Sequence, residues 1–476
     1  MKFAKKATAL SMAGLMAASV LVGCGGGASS NSNSTSGSTS GSQSSSTPAD
    51  PTKPYAGTVL KYACTDTAAV GPENVDLFKM VEEKTGIIIE PMIIPNNQTG
   101  ELDRTLVSLQ AGESIDLIYK TNSDLSPFYA AGVLEPVDEL AANAGYDMES
   151  VFGSSLPVMA DGKTYGLPAF NDIWCVFYNK AVFDKAGVPY PSGDWTWDEY
   201  IETAKKLTNV DEQVYGSLML DYGSYDYMYA IQSGAKHYKE DGTINYDDPL
   251  FRESAEWYYS LGNDLKIQPN ITDYRSGLHV WNGFVSTGVS TDGKYDKPVY
   301  GMCVVGSWVA SMLTNTEKYP RDWQAGIAPL PHPEGQDAST LSVIGCYAIP
   351  TTSQNKEAAF EALKCIAENQ YSLGYGRIPA RIDLSDTEID AYINDKLVPT
   401  YKETDDITAE MFKDAWFSDM TILPEKVVGP AGSTIENLWV SEGEMYGTGS
   451  QDLDTMMKNM IQKSNDAIAE ENASNS

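Results

Sequence analysis

Apolar positions beyond residue 54 follow two periods, one typical of buried strands and one typical of amphipathic helices. A short apolar run at 59–63 predicts a strand. The segment 73–84 predicts a helix that ends at Gly86, since a left-handed glycine commonly closes a helix. Further strand-like runs follow at 87–89 and 115–119. Because helical segments separate these strands, their order predicts a mostly parallel sheet with helices on both faces.

The same alternation continues through the rest of the chain. Thr196 and Glu199 have capping-box spacing and predict a helix that runs to Leu207. The other predicted strands are 174–178, 299–308, 327–330 and 343–349, and the other predicted helices are 102–109, 254–261, 353–368, 386–396, 435–442 and 453–469. No later stretch reaches 18 consecutive apolar residues, so the body of the chain predicts no membrane span.

The first 24 residues have the layout of a bacterial export signal. Three lysines lie among the first six residues, and an apolar stretch follows at 7–22. This stretch is too short and too rich in small residues for a comfortable membrane span. It ends in Leu-Val-Gly-Cys, which resembles the bacterial lipobox. The resemblance implies that residues 1–23 are a lipoprotein signal peptide and that Cys24 is lipidated. The alternative is an ordinary secretory signal that ends near a cysteine.

Residues 24–54 predict a flexible tether between this anchor and the folded body. They consist almost entirely of Gly, Ser, Asn and Thr and include no large aliphatic side chain. Such a segment cannot bury enough apolar area to offset its chain entropy, so we expect it to be disordered. A coil of this length spans roughly 30 Å root-mean-square. We therefore expect the body to lie at the extracellular face of the cytoplasmic membrane, anchored through Cys24.

The chain is strongly acidic, with 65 Asp and Glu against 33 Lys and Arg and a formal net charge of −32. A nucleic-acid-binding protein needs the opposite sign, so no nucleic acid is expected as a partner. Anionic small molecules are disfavoured as well, although a local cationic pocket would still accept one. Neutral or cationic solutes fit this charge best.

Cysteine and histidine give no sign of a metal or catalytic centre. Apart from Cys24 there are five cysteines, none in close pairs, and this odd count predicts buried free thiols, with one disulfide as the alternative. The three histidines lack ligand spacing, so the sequence predicts no metal site, no cofactor and no Ser/His/Asp triad. The stretch 161–164 matches the end of a phosphate-binding loop, but Pro157 stands where that loop needs its first glycine. The chain is therefore not predicted to be an enzyme.

Several segments, in their order and spacing, resemble the bacterial extracellular solute-binding proteins of the sugar-transport type, family 1. They are DGKTYGLP at 161–168, YNK at 178–180, VFDKAGV at 182–188, WTWDEY at 195–200, AKKLT at 204–208, YGM at 300–302, GSW at 306–308, APLP at 328–331 and GRIPAR at 376–381. The resemblance covers nearly the whole body and agrees with the lipobox, since Gram-positive members are lipoproteins. One departure is that Tyr300 and Cys303 stand where members usually carry more charged residues, which leaves the ligand open.

The resemblance implies an α/β fold of the two-lobe, periplasmic-binding-protein-like type II, with crossing hinge strands and a central cleft. By this likeness the chain leaves the first lobe near Asp172, returns near Trp323 and crosses again near Tyr371. The N-terminal lobe is then 55–172 plus 323–370, and the C-terminal lobe is 173–322 plus 371–476.

A sugar presents hydroxyl groups at its rim and C–H groups on its faces, so its binding site needs aromatic rings and hydrogen-bonding side chains. In open α/β sheets the carboxyl ends of strands face such a site. Trp308, preceded by Ser307, is the first candidate for stacking; a tryptophan packed between the lobes is the alternative. Asp172 is a candidate acceptor for two hydroxyls and lies near Trp174 at the predicted crossing; an exposed turn residue is the alternative.

Other candidate site residues are selected from their positions. They are Tyr225, Asp226 and Tyr227 in a tyrosine-rich loop, Trp281 and Asn282 in a glycine-containing loop, Asp66 after the first strand, Lys120 and Asn122 after the third strand, and Arg377 and Arg381 beyond the last crossing. For Tyr225, Asp226 and Tyr227 the alternative is packing, and for each arginine it is an ion pair with an acidic neighbour.

Together these features predict a substrate-binding lipoprotein of an ABC importer. We expect it to capture a carbohydrate, in particular an oligosaccharide, between its lobes and to deliver it as a monomer to the permease subunits. One alternative keeps the fold but changes the ligand to a polyamine, a peptide or another solute. A second alternative is a surface glycan-active enzyme, which would need two cleft carboxylates about 5 Å or about 6.5–9.5 Å apart.

Overall fold

The computed structural model describes residues 52–95, 103–219, 222–277, 279, 283–286, 298–402 and 404–474. The predicted signal peptide, Cys24 and nearly all of the predicted tether therefore lie outside the described residues, as do Trp281 and Asn282. All elements named below belong to one unit, Ala49–Ser476.

The strands in the described residues are β1 Val59–Cys64, β2 Ile88–Ile93, β3 Leu117–Thr121, β4 Leu167–Asn179, β5 Val214–Tyr215, β6 Val299–Tyr300, β7 Met302–Gly306, β8 Ala325–Pro329, β9 Ser339–Ala348, β10 Ile378–Pro379 and β11 Thr421–Pro424. The helices are α1 Asp66–Ala69, α2 Pro72–Thr85, α3 Arg104–Gln110, α4 Ser126–Ala130, α5 Asp138–Ala144, α6 Met148–Phe152, α7 Lys180–Ala186, α8 Trp197–Leu207, α9 Ser224–Gln232, α10 Pro249–Asn263, α11 Ile271–Arg275, α12 Gly283–Ser286, α13 Val309–Leu313, α14 Lys356–Asn369, α15 Asp386–Tyr392, α16 Val398–Lys402, α17 Ala409–Trp416, α18 Gly432–Gly447 and α19 Leu453–Ser474.

A mixed sheet forms the first lobe. Its strand order is β2-β1-β3-β9-β4-β10, in which β1 is parallel to β2 and β3, whereas β9 is antiparallel to β3 and β4. Helices α2, α5 and α14 cover one face of this sheet, and α3 and α4 cover the other. Both faces are therefore buried, which explains the almost continuous apolar runs of these strands.

Strand β4 joins the two lobes. Its thirteen residues are all buried and span about 43 Å at the usual rise of a strand. Residues 167–173 pair with β9, and residues 174–179 pair with β7 and β8 of the second lobe. Strand β9 is shared in the same way, because 339–342 pair with β11 and 345–348 pair with β3.

The second lobe has its own apolar core, which is separate from the two cores that flank the first-lobe sheet. Large aromatic side chains dominate it, including the fully buried Trp174, Trp197, Tyr200 and Trp439. A core of this kind excludes water from the second-lobe half of β4.

The sequence predicts several local features that the structure contains. Thr196 accepts a hydrogen bond from the backbone of Glu199, and the Glu199 side chain returns one, so the predicted capping box is confirmed. Gly86 closes α2 with a left-handed φ of 75°, as predicted. The predicted strand 299–308 is instead two short strands, β6 and β7, which are interrupted at Gly301.

The chain returns to the first lobe later than the prediction near Trp323. Trp323 packs in the core of the second lobe, and β8 pairs with the second-lobe half of β4. The return lies within β9, where pairing changes from β11 to β3. The sequence pattern marks β8 as a strand but does not mark its partner. The other predicted lobe boundaries stay predictions.

A buried ion pair fixes the start of β8. Arg321 and Asp405 have side-chain exposures of 2% and 0%, and Nη2 lies 2.7 Å from Oδ2. Asp405 also accepts hydrogen bonds from the Ala325 backbone N–H at 2.8 Å and from the Thr404 hydroxyl at 2.7 Å. This carboxylate therefore ties β8 to the segment that follows α16.

We predict that Asp405→Ala lowers the free energy of unfolding by about 3–5 kcal/mol, because it leaves the Arg321 charge buried without its partner. Urea unfolding followed by tryptophan fluorescence measures this difference. Asp395→Ala removes an exposed aspartate from the same region and is the matched control; a change of about 0.5 kcal/mol or less is expected there. Equal stability of the two variants would contradict the prediction.

Candidate functional site

The carboxyl ends of β1 and β3 point toward the second lobe. β3 is antiparallel to β9, and β9 is antiparallel to β4, so β3 runs in the same direction as β4. Since β4 continues into the second lobe, the residues that follow β1 and β3 face that lobe. We refer to the surface formed where the lobes meet as the interlobe face, and its defining residues are Glu73, Asp124, Asp172, Trp308, Arg377 and Lys426.

Asp172 lies where β4 changes partners from β9 to β7. It is 6% exposed. Its Oδ1 accepts a hydrogen bond from the Ser307 hydroxyl at 3.1 Å, and Arg377 Nη1 lies 3.2 Å from Oδ1 and 3.0 Å from Oδ2. Burial raises the pKa of Asp172, and Arg377 opposes this effect. The residue therefore stands between the two lobes with both oxygens engaged.

Arg377 binds a second carboxylate, that of Glu73. Its Nε and Nη2 donate to the two Glu73 oxygens at 2.9 Å and 3.0 Å, which is the two-pronged geometry of a strong arginine–carboxylate pair. Burial alone would lower the pKa of Arg377, but Asp172 and Glu73 raise it well above its ordinary value. The network connects α2 of the first lobe, the shared strand β4 and Ser307 of the second lobe.

Phe170 supports the guanidinium of Arg377 from one side. The guanidinium carbon lies 4.1 Å from the centre of the Phe170 ring, within the range of cation–π attraction. Tyr119 stacks on the same ring at 5.9 Å. A Cβ atom at Gly345 would lie 2.4 Å from the Phe170 ring, so a glycine is required beneath it.

A cluster of aromatic rings lies next to Asp172. The fully buried Trp174 meets Tyr225, Tyr222 and Trp308 edge to face, with ring centres 5.2, 5.6 and 6.0 Å apart. Tyr222 and Trp308 are only partly buried. A Cβ atom at Gly306 would lie 1.8 Å from the Trp308 ring, so glycine lets the indole pack against the strand. Trp174 thus holds two partly exposed rings in fixed positions.

A second charged group lies beside Trp174. Glu425 is 4% exposed, and burial raises its pKa to about 8, with the charge of Lys426 acting in the opposite direction. Glu436 accepts a hydrogen bond from the Tyr227 hydroxyl at 2.8 Å, and burial raises the pKa of Glu436 as well. Lys426 Nζ lies 3.3 Å from Asp124 Oδ1. Because Asp124 follows β3, this ion pair joins the two lobes.

A cavity of about 820 Å³ is lined by the other face of the shared strands and by residues that follow β3 and β11, and we refer to it as the rear cavity. Asn171 and Ile173 of β4 line it, whereas Asp172 between them contributes to the interlobe face, as the alternation of side chains along a strand requires. Most of its lining residues are apolar, and the candidates Asn122 and Arg381 also line it. Neither of these two therefore joins the Asp172 network in the structure.

The structure brings five of the predicted site residues together. Asp172, Ser307 and Arg377 are connected by hydrogen bonds, and Trp174 and Trp308 by a ring contact. Whether they contact a ligand stays a prediction.

The predicted loop around Tyr225, Asp226 and Tyr227 is a helix, α9, and the loop assignment is wrong. The three side chains are 2%, 2% and 0% exposed. The Tyr225 hydroxyl donates to the Val304 carbonyl oxygen, and the Tyr227 hydroxyl lies 2.6 Å from the Glu425 carbonyl oxygen. Burial in the second lobe overrides the loop-like composition. Tyr225 and Tyr227 therefore pack in the core, where Tyr225 contacts Trp174.

The remaining candidates lie elsewhere. Lys120 pairs with Asp103 and lies over the Phe128 ring, and Arg381 pairs with Asp383 at 2.8 Å. The Asp66 side chain, like Trp281 and Asn282, lies outside the described part of the structure.

Several residues of the interlobe face are absent from the sequence prediction. Glu73 lies in the first turn of α2, where acidic residues are common, and it is 304 positions from its partner Arg377. No local pattern marks such a pair. Lys426 and Glu425 follow a short strand, β11, that the sequence does not reveal. Tyr222 belongs to the tyrosine-rich stretch, which is the one signal that could have selected it.

Within the part of the chain that the structure describes, no three His, Cys, Asp or Glu side chains are grouped to hold a metal ion. The five cysteines in the described residues are free; four of them are buried, and Cys64 is partly exposed. Burial raises the pKa of the Cys175 thiol to about 12. Across the same described ranges, no helix combines the length and the apolar character that crossing a membrane requires.

Two α/β lobes that share β4 and β9, and that meet at a face of aromatic and hydrogen-bonding side chains, define a two-lobe binding protein. The chain belongs to the bacterial extracellular solute-binding protein family, whose model matches residues 69–372. The predicted resemblance and the predicted two-lobe α/β fold are confirmed.

One sequence relative and two solved structures are similar to this chain. A putative binding protein of Brucella abortus is 25% identical over 404 residues, which cover 82% of this chain and 90% of the relative. An ABC substrate-binding protein of Listeria monocytogenes in complex with cycloalternan superimposes with a TM-score of 0.67 at 20% identity, covering 87% of this chain and 99% of the other. A maltose-bound protein of T. maritima superimposes with a TM-score of 0.63 at 16% identity, covering 85% of this chain and 98% of the other.

We predict that Glu425→Gln stabilises the protein at pH 8 but not at pH 4.5. The pKa of Glu425 rises from an ordinary 4.5 to about 8 on folding, so the folded chain holds a proton that the unfolded chain releases. The stability associated with this proton is fully present below the ordinary pKa and is lost as the pH rises through about 8. Glutamine has no proton to lose and avoids that loss.

Urea unfolding between these two pH values measures the difference between the variant and the wild type. Glu470→Gln, at an exposed position of α19, should show no such pH-dependent difference. A stability difference between Glu425→Gln and the wild type that is constant with pH would contradict the prediction.

Proposed function

We propose that this protein is the substrate-binding lipoprotein of an ABC importer and that it captures a carbohydrate, in particular an oligosaccharide, at the interlobe face. It binds without chemical conversion and delivers the solute to membrane permease subunits as a monomer. The lipid on Cys24 and the tether 24–54 keep it at the outer surface of the cytoplasmic membrane. Membership of the solute-binding family is the basis for this proposal.

The observation that carries the carbohydrate assignment is the contact between the partly exposed rings of Trp308 and Tyr222. The residue before Trp308, Ser307, donates a hydrogen bond to Asp172. Partly exposed rings offer flat surfaces to the C–H faces of a sugar, and carboxylate and hydroxyl groups offer hydrogen-bond partners to its rim. Trp174 fixes the rings from behind, so little conformational entropy is lost when a ligand stacks on them.

The ligands bound in the similar structures support the same class. The Listeria monocytogenes protein holds cycloalternan and the T. maritima protein holds maltose. Because this chain has the same fold, a carbohydrate is the ligand class that we propose for it.

The sharing of β4 and β9 supports a hinged mechanism. Backbone rotation near residue 173 would change the angle between the lobes without breaking either core. A ligand that contacts both lobes binds the closed arrangement more tightly and shifts the population toward it. The Asp124–Lys426 ion pair, which spans the lobes at 3.3 Å in this structure, would break if the lobes moved apart.

Calorimetric titration of the purified mature chain against neutral oligosaccharides, polyamines and short peptides tests the ligand class. Saturable one-site binding of an oligosaccharide is expected. Binding of a polyamine or a peptide alone would replace the carbohydrate assignment. Release of reducing sugar from a glycan substrate would contradict the assignment as a non-enzymatic binding protein.

We predict that Trp308→Ala weakens binding of the best oligosaccharide by about 1–3 kcal/mol, as for other aromatic stacking contacts, or about 5- to 150-fold. Trp308→Phe keeps a smaller ring and should lose less. Tyr190→Ala removes an aromatic side chain that is 40% exposed and contacts Asp184 instead of the site. This control variant should therefore bind the oligosaccharide as tightly as the wild type. Unchanged affinity in a folded Trp308→Ala variant would contradict the stacking role.

We predict that Cys24 carries the lipid. Cells grown with an alkyne fatty acid should incorporate the label into the wild type and into Cys64→Ser, but not into Cys24→Ser. Gel fluorescence after coupling to a dye measures incorporation, and the mature wild-type chain should begin at residue 24. A labelled Cys24→Ser protein would contradict the lipid anchor.

A further inference from the structure

We propose that the interlobe face accepts uncharged glycans and rejects glycans that carry carboxylates, because side-chain carboxylates of the protein already occupy its cations. This inference rests on the proposed carbohydrate function and narrows its substrate class. It concerns the local pairing of named charges, which the net charge of the chain does not determine.

Arg377 is the side chain best suited to hold a uronate carboxylate, since guanidinium binds carboxylates in two-pronged geometry. That geometry is already taken by Glu73, at 2.9 Å and 3.0 Å from Nε and Nη2. The other terminal nitrogen lies within 3.2 Å of both Asp172 oxygens. Two carboxylates therefore surround one guanidinium, and the group as a whole is negative.

The other cations near the carboxyl ends of the first-lobe strands are also paired. Lys426 Nζ lies 3.3 Å from Asp124 Oδ1. Lys120 pairs with Asp103. Among the described residues of this region, each of these cations has a carboxylate partner.

A ligand carboxylate at this face would lose its hydration next to Asp172 and Glu73 and would gain no unpaired cation in return. Removing a charge from water without a partner is strongly unfavourable, and like charges at short distance add repulsion. A neutral sugar has no charge to desolvate and none to be repelled, and its hydroxyl groups can donate to the same carboxylates. The paired network thus selects for neutral glycans.

A matched glycan panel tests the proposal by calorimetry. One set contains neutral oligosaccharides of two to six residues built from glucose, galactose, xylose, arabinose or mannose, and the other contains oligogalacturonates of the same lengths. We expect saturable binding within the neutral set and at least tenfold weaker binding for every oligogalacturonate. An oligogalacturonate that binds as tightly as the best neutral glycan would overturn charge selection while leaving the carbohydrate function intact. Absence of binding in both sets would overturn the proposed function and this inference with it.

A second arm tests the role of Glu73. Glu73→Ala removes the carboxylate that accepts from Nε and Nη2 of Arg377. These two nitrogens could then bind a ligand carboxylate, so oligogalacturonate affinity should rise at least tenfold relative to the wild type. Glu83→Ala removes a carboxylate that is 66% exposed on the same helix and should leave oligogalacturonate affinity unchanged. Circular dichroism establishes that both variants are folded. A folded Glu73→Ala variant without the gain would overturn the assignment of exclusion to the Glu73–Arg377 pair.

Discussion

The interlobe face depends on the continuity of β4 through both lobes. One strand of thirteen buried residues pairs first with β9 and then with β7 and β8, so each lobe builds its core on part of the same backbone. The change of partners occurs between residues 173 and 174. Any side chain at this point is positioned by both lobes at once.

Asp172 lies two positions before Trp174, the first residue that pairs with β7, and this position determines its environment. A carboxylate at 6% exposure needs compensation, and Ser307 and Arg377 supply it from two different parts of the chain. Arg377 in turn is held flat by Phe170 and anchored to the first lobe by Glu73. A change in the angle between the lobes must therefore alter this network. Hinge and candidate binding site share the same residues, which is how ligand contacts can be coupled to closure.

The sequence predicted the first-lobe alternation, the capping of α8 and the neighbourhood of Asp172 and Trp308, because these depend on local periodicity and on a recognisable order of motifs. It did not predict the pairing of Glu73 with Arg377, which joins positions 304 residues apart. It also missed α9, because tyrosine, serine and aspartate are weak helix formers and the helix is stabilised by burial among its neighbours. Long-range pairing and tertiary burial do not produce a periodic pattern in the amino-acid sequence, so they cannot be predicted from it.

A crystal structure of the mature chain with the neutral oligosaccharide that binds best tests the central claim most directly. We predict that the glycan lies at the interlobe face, with one sugar ring against Trp308 and hydroxyl groups directed toward the Asp172–Arg377 network. A glycan bound in the rear cavity, lined by Asn171 and Ile173, with the interlobe face unoccupied, would contradict the assignment of the site.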